Sequence, residues 1–422
     1  MRSRILKILI AVFAVALIAP AFSAVENVKV GGDIAVYGIL RGDFDAWDTE
    51  KIHAFQTAAR VYVSVDLTDN VSTMIRVINE NVWGNVDWEY GNFEGILLDL
   101  AYIKVSDLLT PGLSLTVGRQ EIQLGEGLVV GSRFRADMYP DVGHLAAVDL
   151  GLRKAFDAIR LDYAASAMPL NITAFMSKID EEYDDTEDTD LYGLNLGFKL
   201  AEVANFDVYY VKEMIREDNM SLDTVGVRAV VGIPAVEGLS MKAEFAKQFG
   251  DYDDVVDFSG WALLAGFEYK MATAMEPTIK LNYARYSADD EDTDNEDEGW
   301  QLVFPSNTGS RIGPILYAYD TFKENDEFDY VESGNAQFIN LGISFKPAEK
   351  VKISIDAYWD RFIQPVAGTK DIGFEVDLGI EWAISEDLTF GICGGKLFGG
   401  DLFENADLAD PWQIIASMKV AF

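Results

Sequence analysis

The chain has 422 residues and a net charge of −36, from 70 acidic against 34 basic side chains. That balance excludes nucleic acid as a partner, because it would add repulsion to a phosphate backbone. Aromatic residues make up 12% of the chain, too many for a disordered polymer, and a single cysteine, Cys393, rules out a disulfide framework.

The N-terminus reads as a secretory signal. Arg2, Arg4 and Lys7 form a positive segment, Ile8 to Ala19 is apolar, and Ala21-Phe22-Ser23 is a small-x-small cleavage site. Residues 1–23 are therefore assigned to a signal peptide and 24–422 to one domain. No later stretch reaches the roughly 18 unbroken apolar residues that a transmembrane helix needs. A membrane barrel hides its apolar band in alternation instead.

Such alternation fills the rest of the chain. From Val28 onward, segments of period two recur at 28–44, 54–67, 71–82, 95–106, 112–123, 153–165, 169–180, 189–200 and 204–214. They continue at 221–233, 237–249, 258–271, 275–288, 335–346, 350–361, 370–383, 386–398 and 411–422. Connections such as Thr68-Asp69-Asn70, Leu109-Thr110-Pro111 and Pro347-Ala348-Glu349 are short and carry turn residues. Others, at 83–94, 124–152, 180–189, 250–257, 289–334 and 399–410, are long. The pattern predicts an all-β, antiparallel, up-and-down transmembrane barrel of about 18 strands, with both termini and the short turns periplasmic and the long loops outside. The last segment puts Trp412, Ile414, Ala416, Met418, Val420 and Phe422 on one face. In a soluble protein that strand would be a sticky edge; in a barrel it pairs with the first strand and closes the wall. Its terminal Phe resembles the assembly signal of bacterial outer-membrane barrels, which implies the barrel-assembly machinery as a partner, besides outer-membrane lipid.

Acids crowd the loops at Asp180–Asp190, Asp251–Asp257 and Asp289–Glu298. These read as solvated outer loops. Clustered carboxylates of this kind also suit weakly held calcium, although an EF-hand's glycine and spacing are missing. No other metal or cofactor is expected. Within the strands, parity places Arg41, Arg60, Arg76, Arg160 and Arg228 toward the lumen, and Asp356, Asp360, Glu375, Asp377 and Glu381 toward it on the late strands. A dry core could not hold so many charges; a water-filled lumen can. Arg119 shares the face of Leu115 and Val117 by strict alternation, and a bulge at Gly118 would turn it inward. All eleven are read as pore-lining. Loops 124–152 and 289–334 are long enough to fold inward, and the second carries Trp300, Phe304, Ile315 and Leu316.

One region carries a family resemblance. Gly118-Arg119-Gln120 ends a strand, a glycine-punctuated loop runs to Gly131, and Phe156-Asp157-Ala158-Ile159-Arg160-Leu161 comes next. This order resembles the alginate-export family of outer-membrane channels. The resemblance implies a monomeric barrel with a lumen lined by arginines and a few acids. The acids of the late strands depart from the strongly positive path an acidic polysaccharide needs. The expected function is thus an outer-membrane, porin-like channel for passive or facilitated diffusion of small polar or charged solutes or saccharides. The alternative is a plugged, structural or adhesive surface barrel. An enzyme is not expected: His53 and His144 have no serine elbow beside them.

Overall fold

The computed structural model describes residues 27–44, 51–84, 95–131, 148–165, 168–181, 188–201, 203–290, 295–306, 313–321 and 334–422. The signal segment 1–23, His144 and parts of the acidic loops lie outside the described residues. Among the described residues one sheet holds twenty strands. Two short pieces, Val256–Phe258 and Glu296–Asp297, pair with each other in the loops, which leaves eighteen in the wall.

These are β1 (Asn27–Gly42), β2 (Ile52–Thr68), β3 (Val71–Val82), β4 (Ile96–Val105), β5 (Leu113–Glu121) and β6 (Ala155–Ala164). Next come β7 (Leu170–Asp180), β8 (Thr189–Leu200), β9 (Ala204–Ile215), β10 (Met220–Gly232), β11 (Leu239–Tyr252) and β12 (Trp261–Lys270). The last are β13 (Thr278–Tyr286), β14 (Ala336–Ala348), β15 (Val351–Val366), β16 (Thr369–Ala383), β17 (Leu388–Gly399) and β18 (Trp412–Ala421). Each pairs antiparallel with its sequence neighbours, and β1 pairs with β18 from Asp33↔Ala421 to Gly42↔Trp412. Phe422 completes the seam: Gly32 N donates to its carbonyl at 2.9 Å and its own N–H returns to Gly32 O at 3.0 Å. The wall has no unpaired edge, as a lipid environment demands.

The strands show their alternation as two faces. Val61, Ile75, Val117, Val227, Leu281, Leu378 and Ile414 are exposed on the outer face. Their neighbours in sequence turn inward. At the end where the chain starts and stops, connections are short, as at Asp69–Asn70 and Glu349–Lys350. At the opposite, loop end most are long. Two are not: Arg216–Asn219, and Ala367–Gly368, where φ of 48° and 82° gives the doubly positive turn suited to a tight hairpin.

The loop-end half of the barrel is filled. Residues 122–131 and 300–306 run inward and meet side by side: Phe304 N donates to Val129 O, Gly131 N to Phe304 O and Ser306 N to Gly127 O, each at 2.8 Å. Gly127 has φ of 72°, and a Cβ there would lie 2.0 Å from Ser306 Oγ, so only glycine allows this approach. Helix α1 (Pro314–Thr321) and the short helix α2 (Asp401–Asn405) join the same plug. Val130, Trp300, Phe304, Ile315 and Leu316 are all at most 1% exposed. The wall makes room with small inward residues, Ala246, Ala262, Ala284 and Ala336, in the same packed cluster. Phe156 meets Phe304 edge-to-face at 5.9 Å. Burying each such large side chain stabilises the plug by about 1.5–3 kcal/mol.

Tyr209 shows how tight this packing is. Its ring lies over Gly226, where a Cβ would come within 2.1 Å, and its hydroxyl donates to Glu244 at 2.7 Å. Glu244 in turn accepts Glu126 N of the infolded segment at 2.7 Å. Gly226→Val is expected to unseat Tyr209 at a cost of about 1–3 kcal/mol. The compact band on a semi-native gel should then be lost at a lower temperature. Gly232→Ala, whose added Cβ meets nothing nearer than 3.7 Å, should leave that temperature unchanged.

Candidate functional site

Toward the terminal end of the plug the inner wall turns polar, and its charges come in opposite pairs. Arg60 on β2 faces Asp33 on β1 at 3.0 Å; parity points both inward, and they are direct cross-strand partners. Arg160 on β6 pairs with Asp162 at 2.9 Å, and Asp162 also accepts Thr173 Oγ1 at 2.8 Å. Arg228 on β10 pairs with Asp207 on β9 at 2.9 Å and with Glu126 of the infolded segment. Lys242 on β11 reaches Glu126 at 3.1 Å. On the far wall Lys280 pairs with Asp356 at 2.8 Å, and Asn340 bridges Asp356 and Asn282.

Glu126 ties the plug to this wall. Burial would raise its carboxyl, but the Arg228 hydrogen bond and the charges of Lys242 and Arg228 outweigh it and hold the group below its ordinary value.

The eleven residues singled out in the sequence fall into three groups. Arg60, Arg160, Arg228 and Asp356 line the polar stretch. Asp377 faces inward against Gly395, whose added Cβ would lie 1.9 Å from its Oδ1, and Glu381 is exposed nearer the terminal end. Arg76 points inward but is taken up by Asp99 and Glu121. A register shift beside Arg76 turns both Asp99 and Leu100 inward, which is how Asp99 reaches it.

Four differ from expectation. Arg41 is inward but fully buried: it holds Asp149 of the turn Val148–Leu150 at 2.7 and 3.0 Å and Gln413 at 3.1 Å, with Phe44 stacked at 5.1 Å. It anchors an infolded loop rather than lining water. Glu375, also fully buried, accepts Ile315 N at 2.8 Å and Leu316 N at 3.0 Å, capping the first turn of α1. Asp360 is fully buried, with neither carboxyl oxygen hydrogen-bonded. Arg119 stays on the outer face, paired with Asp157 at 2.7 Å; the chain keeps strict alternation through Gly118.

The sequence reading missed the partners: Asp33, Asp99, Asp162, Asp207, Lys242 and Lys280. Parity alone would have placed Asp33, Asp162, Asp207, Lys242 and Lys280 on the same face as their counter-ions. Asp99 needed the register shift, and Glu126 lies in a loop where parity says nothing. The picture of a basic early wall facing an acidic late wall is thereby replaced by local pairs on both walls. Among the described residues no cluster of three or more His, Cys, Asp or Glu is placed to hold a metal ion.

A family model for alginate export matches residues 49–413. The chain belongs to the alginate-export family. Its closed barrel and infolded loops are those of an outer-membrane channel. Similar solved structures include Pseudomonas aeruginosa OpdL, with a TM-score of 0.61 at 11% identity over 94% of this chain and 99% of that one. OccK8 (OprE) of the same organism gives 0.60 at 11% over 94% and 99%. OccK11 (OpdR) gives 0.57 at 10% over 94% and 96%. At such identities the likeness concerns the fold alone. No curated protein matches in sequence.

A carboxyl held below its ordinary value contributes stability above that value and loses it as pH falls through the lowered one. The Glu126 latch should therefore be intact from pH 7 down to the ordinary glutamate value of 4.5. Over that range Glu126 itself should contribute no change in conductance, so the difference between wild type and a Glu126→Gln variant should persist throughout it and close only in more acid solution. Glu126→Gln should show a raised conductance already at pH 7; equal conductance of wild type and variant at pH 7 would contradict the latch.

Proposed function

We propose that this member of the family is a passive or facilitated channel for small polar, zwitterionic or charged solutes and saccharides. In this reading the termini and short turns are periplasmic and the long acidic loops face outward. Solutes move between a polar wall and an apolar plug, without energy input.

The observation that carries the reading is the pairing of charges along the path. Each of Arg60, Arg160, Arg228 and Lys280 has a carboxylate within 3.0 Å. Such a wall offers donors and acceptors of both signs at short range. It suits hydroxyl-rich or zwitterionic solutes, which exchange water for paired groups at little cost. It suits a long polyanion less well, since among the described residues no unbroken run of free cations draws one through. The acidic excess of the chain lies largely in the loops, so only mild ion selectivity is expected.

Proteoliposome swelling tests this directly. A neutral disaccharide and a small zwitterion should enter faster than an oligouronate. Fastest entry of the oligouronate would contradict the proposal, and no swelling with any solute would favour a plugged barrel. In a salt gradient, Arg60→Glu with Arg160→Glu should shift the reversal potential toward cations, while Arg119→Glu, on the outer wall, should not.

A further inference from the structure

The outer wall carries a second pattern. Among the described residues, every lysine or arginine on the outward parity of a wall strand lies in that strand's loop-end half. The terminal-end half of the outer face has none. Aromatic stacks accompany the cations. Phe245 stacks on Trp261 at 6.2 Å, and Trp359 meets Phe374 at 4.7 Å. Phe245 precedes Lys247 by two residues on β11, and Trp359 precedes Arg361 by two on β15. Apolar surface, then aromatic rings, then cations is the order of a membrane interface crossed from hydrocarbon to headgroup.

The cations differ around the circumference. On β5 to β10 they are neutralised: Arg119 by Asp157, Lys178 by Asp188 and Asp190, Lys212 by Asp223. Lys396 on β17 is held by Asp410. Lys247, Arg285 and Arg361, on β11, β13 and β15, have no carboxylate at ion-pair distance among the described residues. Lys247 donates only to Ser259 O. Arg285 lies 5.6 Å from the Trp261 ring centroid, with its Nε unpartnered. Asp371 stands opposite Arg361 in register but lies against Gly400, where an added Cβ would come within 2.6 Å of its carboxyl. Arg285, Gln337 and Arg361 form one cross-strand row, and Tyr283 donates to Gln337 Oε1 at 3.2 Å, while the Gln337 amide nitrogen has no hydrogen-bond partner among the described residues. Two strand spacings separate Arg285 from Arg361, about 10 Å.

We propose that Lys247, Arg285 and Arg361 form a docking surface on the outer wall for the phosphorylated headgroup of an outer-leaflet glycolipid. The unpaired cations bind its phosphates, Gln337 donates between them, and Trp261 and Trp359 seat its acyl and sugar portions. Guanidinium suits this role through its planar, multidentate match to phosphate. The proposal rests on the loop end facing outward.

The test uses the whole protein, purified in detergent and incubated with diphosphorylated lipid A, with its dephosphorylated form and with phosphatidylethanolamine, and read by native mass spectrometry. Wild type should retain diphosphorylated lipid A over both others. Lys247→Gln, Arg285→Gln and Arg361→Gln together should cut the bound fraction at least tenfold, while remaining heat-modifiable and conducting normally. Lys178→Gln with Lys212→Gln, on the neutralised side, should keep it. Equal retention by the triple variant, or equal binding of the dephosphorylated lipid, would overturn the proposal. Epitope tags at Asp254 and Asn70 check the orientation separately: a tag at Asn70 reachable on intact cells, with Asp254 shielded, would remove the premise whatever the lipid result.

Discussion

Each backbone N–H and C=O that crosses lipid needs a partner within the chain, and that requirement shapes the rest of the molecule. It is met only when the last strand returns to the first. The seam from Asp33↔Ala421 to Gly42↔Trp412 does this, and the backbone of Phe422 adds the final pair to Gly32. Closure fixes which face of each strand sees lipid, because alternation leaves no freedom once the register is set. It also encloses a space that the chain must then fill, line or leave wet.

The chain does two of these things at the two ends. In the loop-end half it fills the space with an apolar plug, seated against inward alanines and glycines. Buried polar groups are spent on fastening that plug: Arg41 on Asp149, Glu375 on the first turn of α1, Glu244 on Glu126 N. Toward the terminal end it lines the space with opposite charges in contact. Glu126 belongs to both, since it extends from the plug and is gripped by Arg228 and Lys242. A few carboxylates thus hold the infolded loops, and the charges on the inner wall below them come in opposite pairs.

Much of the barrel was legible in the sequence because period two is a local signal, repeated strand after strand. Segments 71–82 and 189–200 coincide with β3 and β8, and the inward placement of Arg60, Arg160 and Arg228 follows from the same parity. What parity cannot show is the company a side chain keeps. Arg41, Asp360 and Glu375 have the expected direction but are fully buried, Arg41 and Glu375 against infolded segments, so they do not line water. Arg119 shows the opposite lesson: alternation placed it outward, and a supposed bulge at Gly118 was not needed. Residue pairs such as Arg228 and Glu126 join a strand to a loop over 100 positions away, a distance no local pattern spans.

The central claim is that a packed but fastened plug, not the wall, sets the width of the path. Single-channel conductance in planar bilayers tests it most directly, comparing wild type with Trp300→Ala and Phe304→Ala together. A small wild-type conductance that rises severalfold in the double variant, with the barrel still heat-modifiable, is the predicted result. An unchanged conductance in a variant that remains folded would contradict it.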